Sequence, residues 1–173
     1  MTRLLVPLLP ALLVLGLGCS PDPCSETASS CDTQDEPIVC IGVGVGGGFA
    51  PYEDGQAVSL VPAPQGGSGV SIVLRTHGLQ TGGLATAQLD VYLDDALAGA
   101  FTDEGNALSC VEDGGAGGQV VGMVVGFDQD EFGDSDALLA LDGRAIELEV
   151  GVTDDAGNEA ILRQPLTVSL GSR

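Results

Sequence analysis

Residues 146–168, IELEVGVTDDAGNEAILRQPLTV, decide the fold class of this chain. From Ile146 to Val152, apolar residues alternate with residues that are mostly polar, which is the two-residue period of a half-buried β-strand. Asp154-Asp155-Ala156-Gly157-Asn158 then supplies the residue types that adopt turn conformations, and a second β-like run begins at Ala160. We therefore predict a β-hairpin.

The same pattern recurs upstream, where short β-like runs are separated by Gly, Asp and Pro. No segment after Cys19 shows a sustained helical period with capping residues. The predicted strands are 38–45, 57–61, 70–74, 87–93, 98–102, 107–111, 120–127, 146–152 and 160–170. Strands of this number and spacing predict an all-β, immunoglobulin-like β-sandwich of about 7–9 strands over residues 37–173.

The first 18 residues have the layout of a secretory signal peptide. Met1-Thr2-Arg3 is basic, Leu4–Leu17 is almost wholly apolar, and the small residue Gly18 precedes Cys19. A transmembrane helix needs about 20 apolar residues, so this run is too short to be a permanent span. We predict that residues 1–18 form a cleaved signal peptide.

The exit sequence, Leu15-Gly16-Leu17-Gly18-Cys19, resembles the lipobox of bacterial lipoproteins, although Gly16 stands where that motif usually has Leu. The resemblance implies that Cys19 carries a thioether-linked diacylglycerol and, after cleavage, an acylated amine such as a palmitoyl amide. Several acyl chains together anchor a protein firmly. The alternative is an ordinary secretory signal that leaves Cys19 as a thiol. Ser20 favours the outer membrane over retention at the inner membrane.

Residues 19–36 are rich in Ser, Pro, Asp and Thr, and they predict a flexible, lipidated tether. Removing residues 1–18 leaves four arginines, no lysine and all 25 acidic residues, a formal charge of −21. The electric field of this negative charge repels nucleic acid and anionic lipid surfaces. It suits cations, cationic partners or simple solubility.

Four further cysteines are Cys24, Cys31, Cys40 and Cys110. An even number in an exported chain favours two disulfides, for which three connectivities exist. We favour Cys40 with Cys110 inside the domain and Cys24 with Cys31 in the tether.

One stretch resembles uncharacterised lipoproteins of myxobacteria and related deltaproteobacteria. The matching features are Ile41-Gly42-Val43-Gly44, Phe49, Asp54-Gly55, Ala63-Pro64-Gln65-Gly66-Gly67 and Arg75. Ala63 replaces the first Gly of the family's G-P-Q-G-G loop, and Ser68-Gly69 stand where a His is common. The resemblance covers roughly residues 38–170 and implies an exported β-sandwich without an established activity. Gln65 is a candidate ligand contact in a loop that rigid turn chemistry also explains.

The best candidate for a metal site is the acidic segment 128–136. Its carboxylates Asp128, Asp130, Asp134 and Asp136 could bind Ca²⁺ through oxygen. Phe132 and Leu139 occupy ligand positions of an EF-hand loop, so a solvated acidic loop is the alternative. Asp154, Asp155 and Asn158 form a second candidate.

Catalytic constellations are missing from the sequence. His77 is the only histidine, no G-x-S-x-G elbow or P-loop occurs, and Trp is absent. The expected function is a lipid-anchored, non-catalytic interaction or structural module of the cell envelope, with no cofactor. It would sit at the periplasmic or surface face of the outer membrane, contacting the membrane through its anchor and a further envelope partner. The alternatives are a Ca²⁺-stabilised surface adhesion module and, more remotely, an envelope hydrolase.

Overall fold

The computed structural model describes residues 36–45, 48–64, 66–110 and 118–170. They form ten strands and two short helices. The strands are β1 (Ile38–Val45), β2 (Gly48–Pro51), β3 (Gln56–Pro62), β4 (Ser68–His77), β5 (Leu84–Leu93), β6 (Ala96–Ala107), β7 (Ser109–Cys110), β8 (Gly118–Gly126), β9 (Ala145–Asp154) and β10 (Glu159–Ser169). The helices are α1 (Gln129–Phe132) and α2 (Ser135–Leu139).

The strands pack as two layers. Sheet I has the order β10–β9–β5–β6, and sheet II has the order β7–β8–β4–β1–β2. Strand β3 joins the layers, because its first half runs parallel to β10 while its second half pairs antiparallel with β4. After the β1–β2 hairpin, this order is that of an immunoglobulin sandwich with an added C′ strand. The predicted all-β sandwich is confirmed.

Alternating side chains from both sheets fill the core. Strand β9 is the clearest case, since Ile146, Leu148, Val150 and Val152 are all buried. Sheet II contributes Ile72 and Leu74 in β4 and Met123 and Val125 in β8, with further partners from β1 and β5. Burying a large aliphatic side chain contributes about 1.5–3 kcal/mol, so this shared layer dominates the free energy of folding.

The hairpin predicted around Asp154–Asn158 is confirmed. Strands β9 and β10 pair from Thr153 with Glu159 to Ala145 with Thr167. The Asp154 N–H donates to the Asn158 carbonyl at 3.0 Å and closes the loop. Gly157 takes a φ of +85°, a conformation that glycine adopts without strain.

Three features differ from the sequence prediction. Strand β2 was not predicted, and β6 is one long strand of 12 residues. The third difference is α1 and α2, which are too short to show a helical period. No helix in the described ranges is long and apolar enough to span a membrane. The signal peptide, Cys19 and residues 20–35 of the tether lie outside the described residues.

Candidate functional site

The outer face of sheet I carries a shallow depression centred on Gly151. Gly151 lies opposite Ile161 of β10 on one side and Gln88 of β5 on the other. Since neighbouring strands are about 4.8 Å apart, the missing side chain leaves a gap between two longer ones. A Cβ at Gly151 would meet no atom within 4 Å, and the cavity has a volume of about 140 Å³.

Carboxylates and hydroxyls surround this gap. We name it the Gly151 depression, and its lining residues are Thr86, Gln88, Asp90, Glu149, Gly151, Thr153, Glu159 and Ile161. Strand alternation places them there, because the intervening residues of β5, β9 and β10 face the core. The depression is therefore a direct consequence of the same two-residue period that builds the core.

The depression is acidic. Arg163 pairs with Glu149 and, at 3.4 Å, with Glu147. Gln88 donates to the Asp90 carboxylate at 3.0 Å. One arginine thus serves two glutamates, and Asp90 and Glu159 have no ion-pair partner within the described ranges. The arrangement can bind a cationic or hydrogen-bond-donating group.

Ile161 gives the depression an apolar wall. Its side chain is 63% exposed, the highest value among the large apolar side chains of the described residues. Neither Gly151 nor Ile161 was predicted as functional from the sequence. The signal was present, since the alternation in IELEVGV already points Gly151 outward alongside the glutamates.

Asp154 has a structural role, so the second candidate Ca²⁺ site is not formed. Its carboxylate accepts hydrogen bonds from the N–H of Gln80 and from both the N–H and side-chain amide of Asn158. Burial by itself would raise the pKa of Asp154, but these bonds and one from the Ala156 N–H together lower it. The carboxylate ties the β9–β10 loop to the loop after β4.

The acidic segment 128–136 builds helix ends instead of a metal cage. The Asp128 side chain accepts from the Asp130 N–H at 2.8 Å, and the Asp134 side chain accepts from the Ala137 N–H at 2.7 Å. These are N-caps of α1 and α2. No group of three or more His, Cys, Asp or Glu in the described part of the chain is placed to hold a metal ion. The predicted site at Asp128, Asp130, Asp134 and Asp136 is therefore not brought together.

The loop with the predicted ligand contact packs against α1. Gln65 itself lies outside the described residues. Beside it, a Cβ at Gly66 would come within 2.9 Å of the Gln129 side chain, and both Gly66 and Gly67 have positive φ. The glycines are thus explained by a tight turn under Gln129.

Arg75 lies on the outer face of sheet II, opposite Cys40 of β1. Arg75 is buried, its Nε donates to Gln119 Oε1 at 3.0 Å, and its guanidinium lies 4.9 Å from the centre of the Phe49 ring. Burial lowers the pKa of Arg75. These contacts join β2, β4 and β8, which makes Arg75 a structural residue of this face.

Comparison with known proteins identifies no family for this chain. No protein-family model matches the sequence, and characterised proteins show no significant similarity to it. The resemblance to myxobacterial lipoproteins stays a prediction, and function has to be inferred from the sites themselves.

His77, the only histidine of the sequence, ends β4 opposite Ile38. Among the described residues, no carboxylate accepts a hydrogen bond from His77. The backbone of Cys110 pairs with Gly118 in the short strand β7, and its side chain lies outside the described part of the chain.

The favoured pairing of Cys40 with Cys110 is wrong. Cys40 lies opposite Arg75, Arg75 lies opposite Gln119, and Gln119 lies opposite Ser109, the neighbour of Cys110. Two strands thus separate the cysteines, which places their Cα atoms about 14 Å apart. A disulfide requires about 4.4–6.8 Å.

Proposed function

We propose that this protein is a lipid-anchored, non-catalytic module of the cell envelope that contacts a cationic partner through the Gly151 depression. The observation that carries the contact surface is the outer face of sheet I, where acidic side chains and an exposed isoleucine surround a gap in the side-chain layer. Apolar area at the centre of a contact with charges around it is the usual anatomy of an interface.

Charge favours a cationic partner over other classes. Four carboxylates lie on this face, those of Asp90, Glu147, Glu149 and Glu159. Among the described residues, Arg163 is the only basic side chain that pairs with any of them. Complementary charge speeds association and rejects partners of the wrong sign. Nucleic acid and the anionic membrane surface are disfavoured for the same reason.

Anchoring through Cys19 is the second part of the proposal, and the sequence from Met1 to Cys19 supports it. A lipidated chain would be cleaved before Cys19 and held at the outer membrane by its acyl groups. The Cys19→Ser variant should leave the membrane fraction, whereas Cys24→Ser should stay there. Equal membrane retention of both variants would contradict anchoring at Cys19.

The contact surface can be tested by photo-crosslinking in cells that produce the protein. A photoreactive residue at position 161 should give a discrete crosslinked product, and one at the exposed position 139 in α2 should not. Gly151→Lys should abolish the product, because its side chain fills the depression and places a positive charge where a cationic partner would bind. Glu53→Lys, at an exposed position, is the control for charge: it changes the net charge by two units, against one for Gly151→Lys, and it should leave the product unchanged. A product of equal yield at positions 161 and 139, or one that survives Gly151→Lys, would refute this surface.

A further inference from the structure

Strand β3 leaves part of one edge without a strand partner. It pairs with β10 from Gln56 to Ser59, but with β4 only from Leu60 to Pro62. Before Leu60, the edge of β3 that faces away from β10 meets no strand in the described ranges. Sheet I therefore ends at the first half of β3 on one side, as it ends at β6 on the other.

The backbone of this open edge has hydrogen-bonding groups that point outward. In an antiparallel pair, alternate residues direct their N–H and C=O groups toward the partner strand. In the turn from β3 to β4 the Ala63 N–H donates to the Gly67 carbonyl at 3.1 Å, so alternate residues back along β3, which include Ser59 and Ala57, point the same way. Their N–H groups lie beyond the end of the β3–β4 ladder. An unpaired row of this kind is a template for a further strand.

A cleft of about 390 Å³ lies beside this edge. Its other lining comes from Val43 in β1, from Tyr52 and from β4 at Ser71, and none of the described residues that line it is charged. The Tyr52 hydroxyl donates to the Ser71 carbonyl at 2.9 Å, so a side chain pairs with β4 at this point. Val43 is 36% exposed and gives the cleft an apolar wall. The cleft thus offers space and apolar contact next to the open backbone.

The opposite edge of sheet I is protected against strand addition. The β5–β6 register shifts twice, and Gly105 in β6 has a φ of +89°. Such irregularities disrupt pairing. The Asp128 N–H also donates to the Ala98 carbonyl of β6 at 2.8 Å. By contrast, β3 from Gln56 to Ser59 pairs with β10 without a register shift and contains no proline or charged residue. Bulges, prolines and charges, which proteins use to block sheet edges, are absent from this segment.

We propose that the open edge of β3 binds an extended, basic peptide segment of a partner protein, which adds to sheet I as a further strand. Main-chain hydrogen bonds to Ala57 and Ser59 would supply affinity, and the walls of the cleft would select side chains. This site is separate from the Gly151 depression and does not rest on the function proposed for it.

The surroundings of β3 define the chemistry of the added segment. Val58 belongs to the core cluster, whereas Ala57 and Ser59 are exposed. Since residues directly opposite each other share a face, the segment should be apolar beside Val58 and polar beside its two neighbours. Basic residues at its ends follow from charge, because the chain has a formal charge of −20 and Glu53 and Asp54 are exposed just before β3.

A synthetic peptide of this pattern, acetyl-Lys-Val-Thr-Val-Thr-Val-Thr-Lys-amide, is the probe. It is titrated into the isotope-labelled full chain in a neutral detergent and followed by NMR. We expect saturable binding, with the largest shifts at the amides of Ala57 and Ser59. Hydrogen exchange of these two amides should slow by about tenfold or more at saturation. No saturable binding at peptide concentrations up to about 1 mM, which is weaker than recognition by such an edge requires, would overturn the inference.

Two N-methylated peptides test whether the probe pairs as a strand. Only one set of its alternate N–H groups can face β3, either those of the three valines or those of the three threonines. Methylation of the set that faces β3 should weaken binding by about tenfold or more, and methylation of the other set should change it by less than about twofold. Equal affinities for the two methylated peptides would overturn strand addition.

A matched pair of variants tests the place of binding. Val43→Lys puts a positive charge in the cleft and should weaken binding by about tenfold or more, whereas Leu139→Lys, at an exposed leucine of α2, should change it by less than about twofold. Equal effects would overturn the site. Shifts at Gly151 and Ile161 in place of β3 would also overturn it, while supporting the proposed contact with a cationic partner.

A second copy of the chain is the competing occupant of the edge. If it lies there, the amides of Ala57 and Ser59 are protected from exchange without peptide, and their protection falls on dilution. That result would overturn the inference of a foreign peptide. We expect fast exchange of both amides at every protein concentration until the probe is added.

Discussion

Replacing Asp154 by alanine should destabilise the sandwich more than any other change to the turn at residues 154–158. Asp154 is only 5% exposed, and its carboxylate accepts from the Gln80 N–H at 3.0 Å and from the N–H and side-chain amide of Asn158 at 2.8 and 2.9 Å. A hydrogen bond to a charged group contributes about 1.5–3 kcal/mol, and an orphaned buried donor costs about 1–3 kcal/mol. Because water can reach part of this loop, we expect a loss of about 3 kcal/mol in the free energy of unfolding.

Urea denaturation is the assay. With an m-value of about 2 kcal/mol per molar, the midpoint should fall by about 1.5 M and the m-value should not change. Asp155→Ala is the control, since Asp155 is exposed in the same turn, and it should shift the free energy by less than about 0.5 kcal/mol. If the Asp154→Ala and Asp155→Ala variants unfold at the same urea concentration, the hydrogen bonds of Asp154 to Gln80 and Asn158 do not stabilise the fold as proposed.

The pH dependence provides a second, independent check on Asp154. Its pKa is lower in the folded protein than the ordinary carboxyl value, so the folded state favours the charged form. The resulting stability is fully present above the ordinary pKa and is lost as pH falls through the folded pKa. The stability difference between the wild type and Asp154→Asn should therefore shrink below about pH 4. A difference that is constant or grows on acidification would contradict the account.

Three further substitutions test packing, each by its urea midpoint. Tyr52→Phe should cost about 1 kcal/mol, because it removes the hydrogen bond that the Tyr52 hydroxyl donates to the Ser71 carbonyl at 2.9 Å. Ser71 lies where neither β1 nor β3 pairs with β4. An unchanged midpoint would contradict this. Gly99→Ala should cost about 3 kcal/mol, since its Cβ would lie 2.1 Å from the carbonyl oxygen of Gly126 at the end of β8, whereas Gly151→Ala should be neutral; equal effects would refute the close approach. Phe132→Ala should also cost about 3 kcal/mol, because the buried Phe132 ring packs edge-on against the Phe127 ring, with the two ring centres 5.5 Å apart. A loss below about 1 kcal/mol would show that α1 packs only loosely.

The sequence predicted the fold well where strand alternation is strict. The β9–β10 hairpin shows why, because its inward positions are mostly apolar and its outward positions are mostly polar, and a shift of one residue would expose the whole core set. Strand β2 escaped prediction because Gly48–Pro51 is only four residues long and contains no alternating apolar pair. It is held by pairing with β1, which is a tertiary contact.

The candidate sites were harder to predict, because the same residue types serve different purposes. Asp128 and Asp134 have the spacing of metal ligands, but the chain uses their oxygens to cap two helices. The Gly151 depression combines three strands, so it depends on a register that no single segment reveals. Disulfide pairing likewise depends on which strand each cysteine occupies, and the sequence does not reveal that two strands separate Cys40 from Cys110.

The mass of the mature N-terminal peptide tests anchoring at Cys19 directly. We expect that the mature protein begins at Cys19 and that Cys19 carries a diacylglycerol thioether and an acylated amine. Mass spectrometry of the protein extracted from membranes in detergent would show this as a lipid-sized increase on residues 19–21, lost in Cys19→Ser. A chain that begins elsewhere, or an unmodified Cys19, would contradict the account and leave a secreted β-sandwich without an anchor.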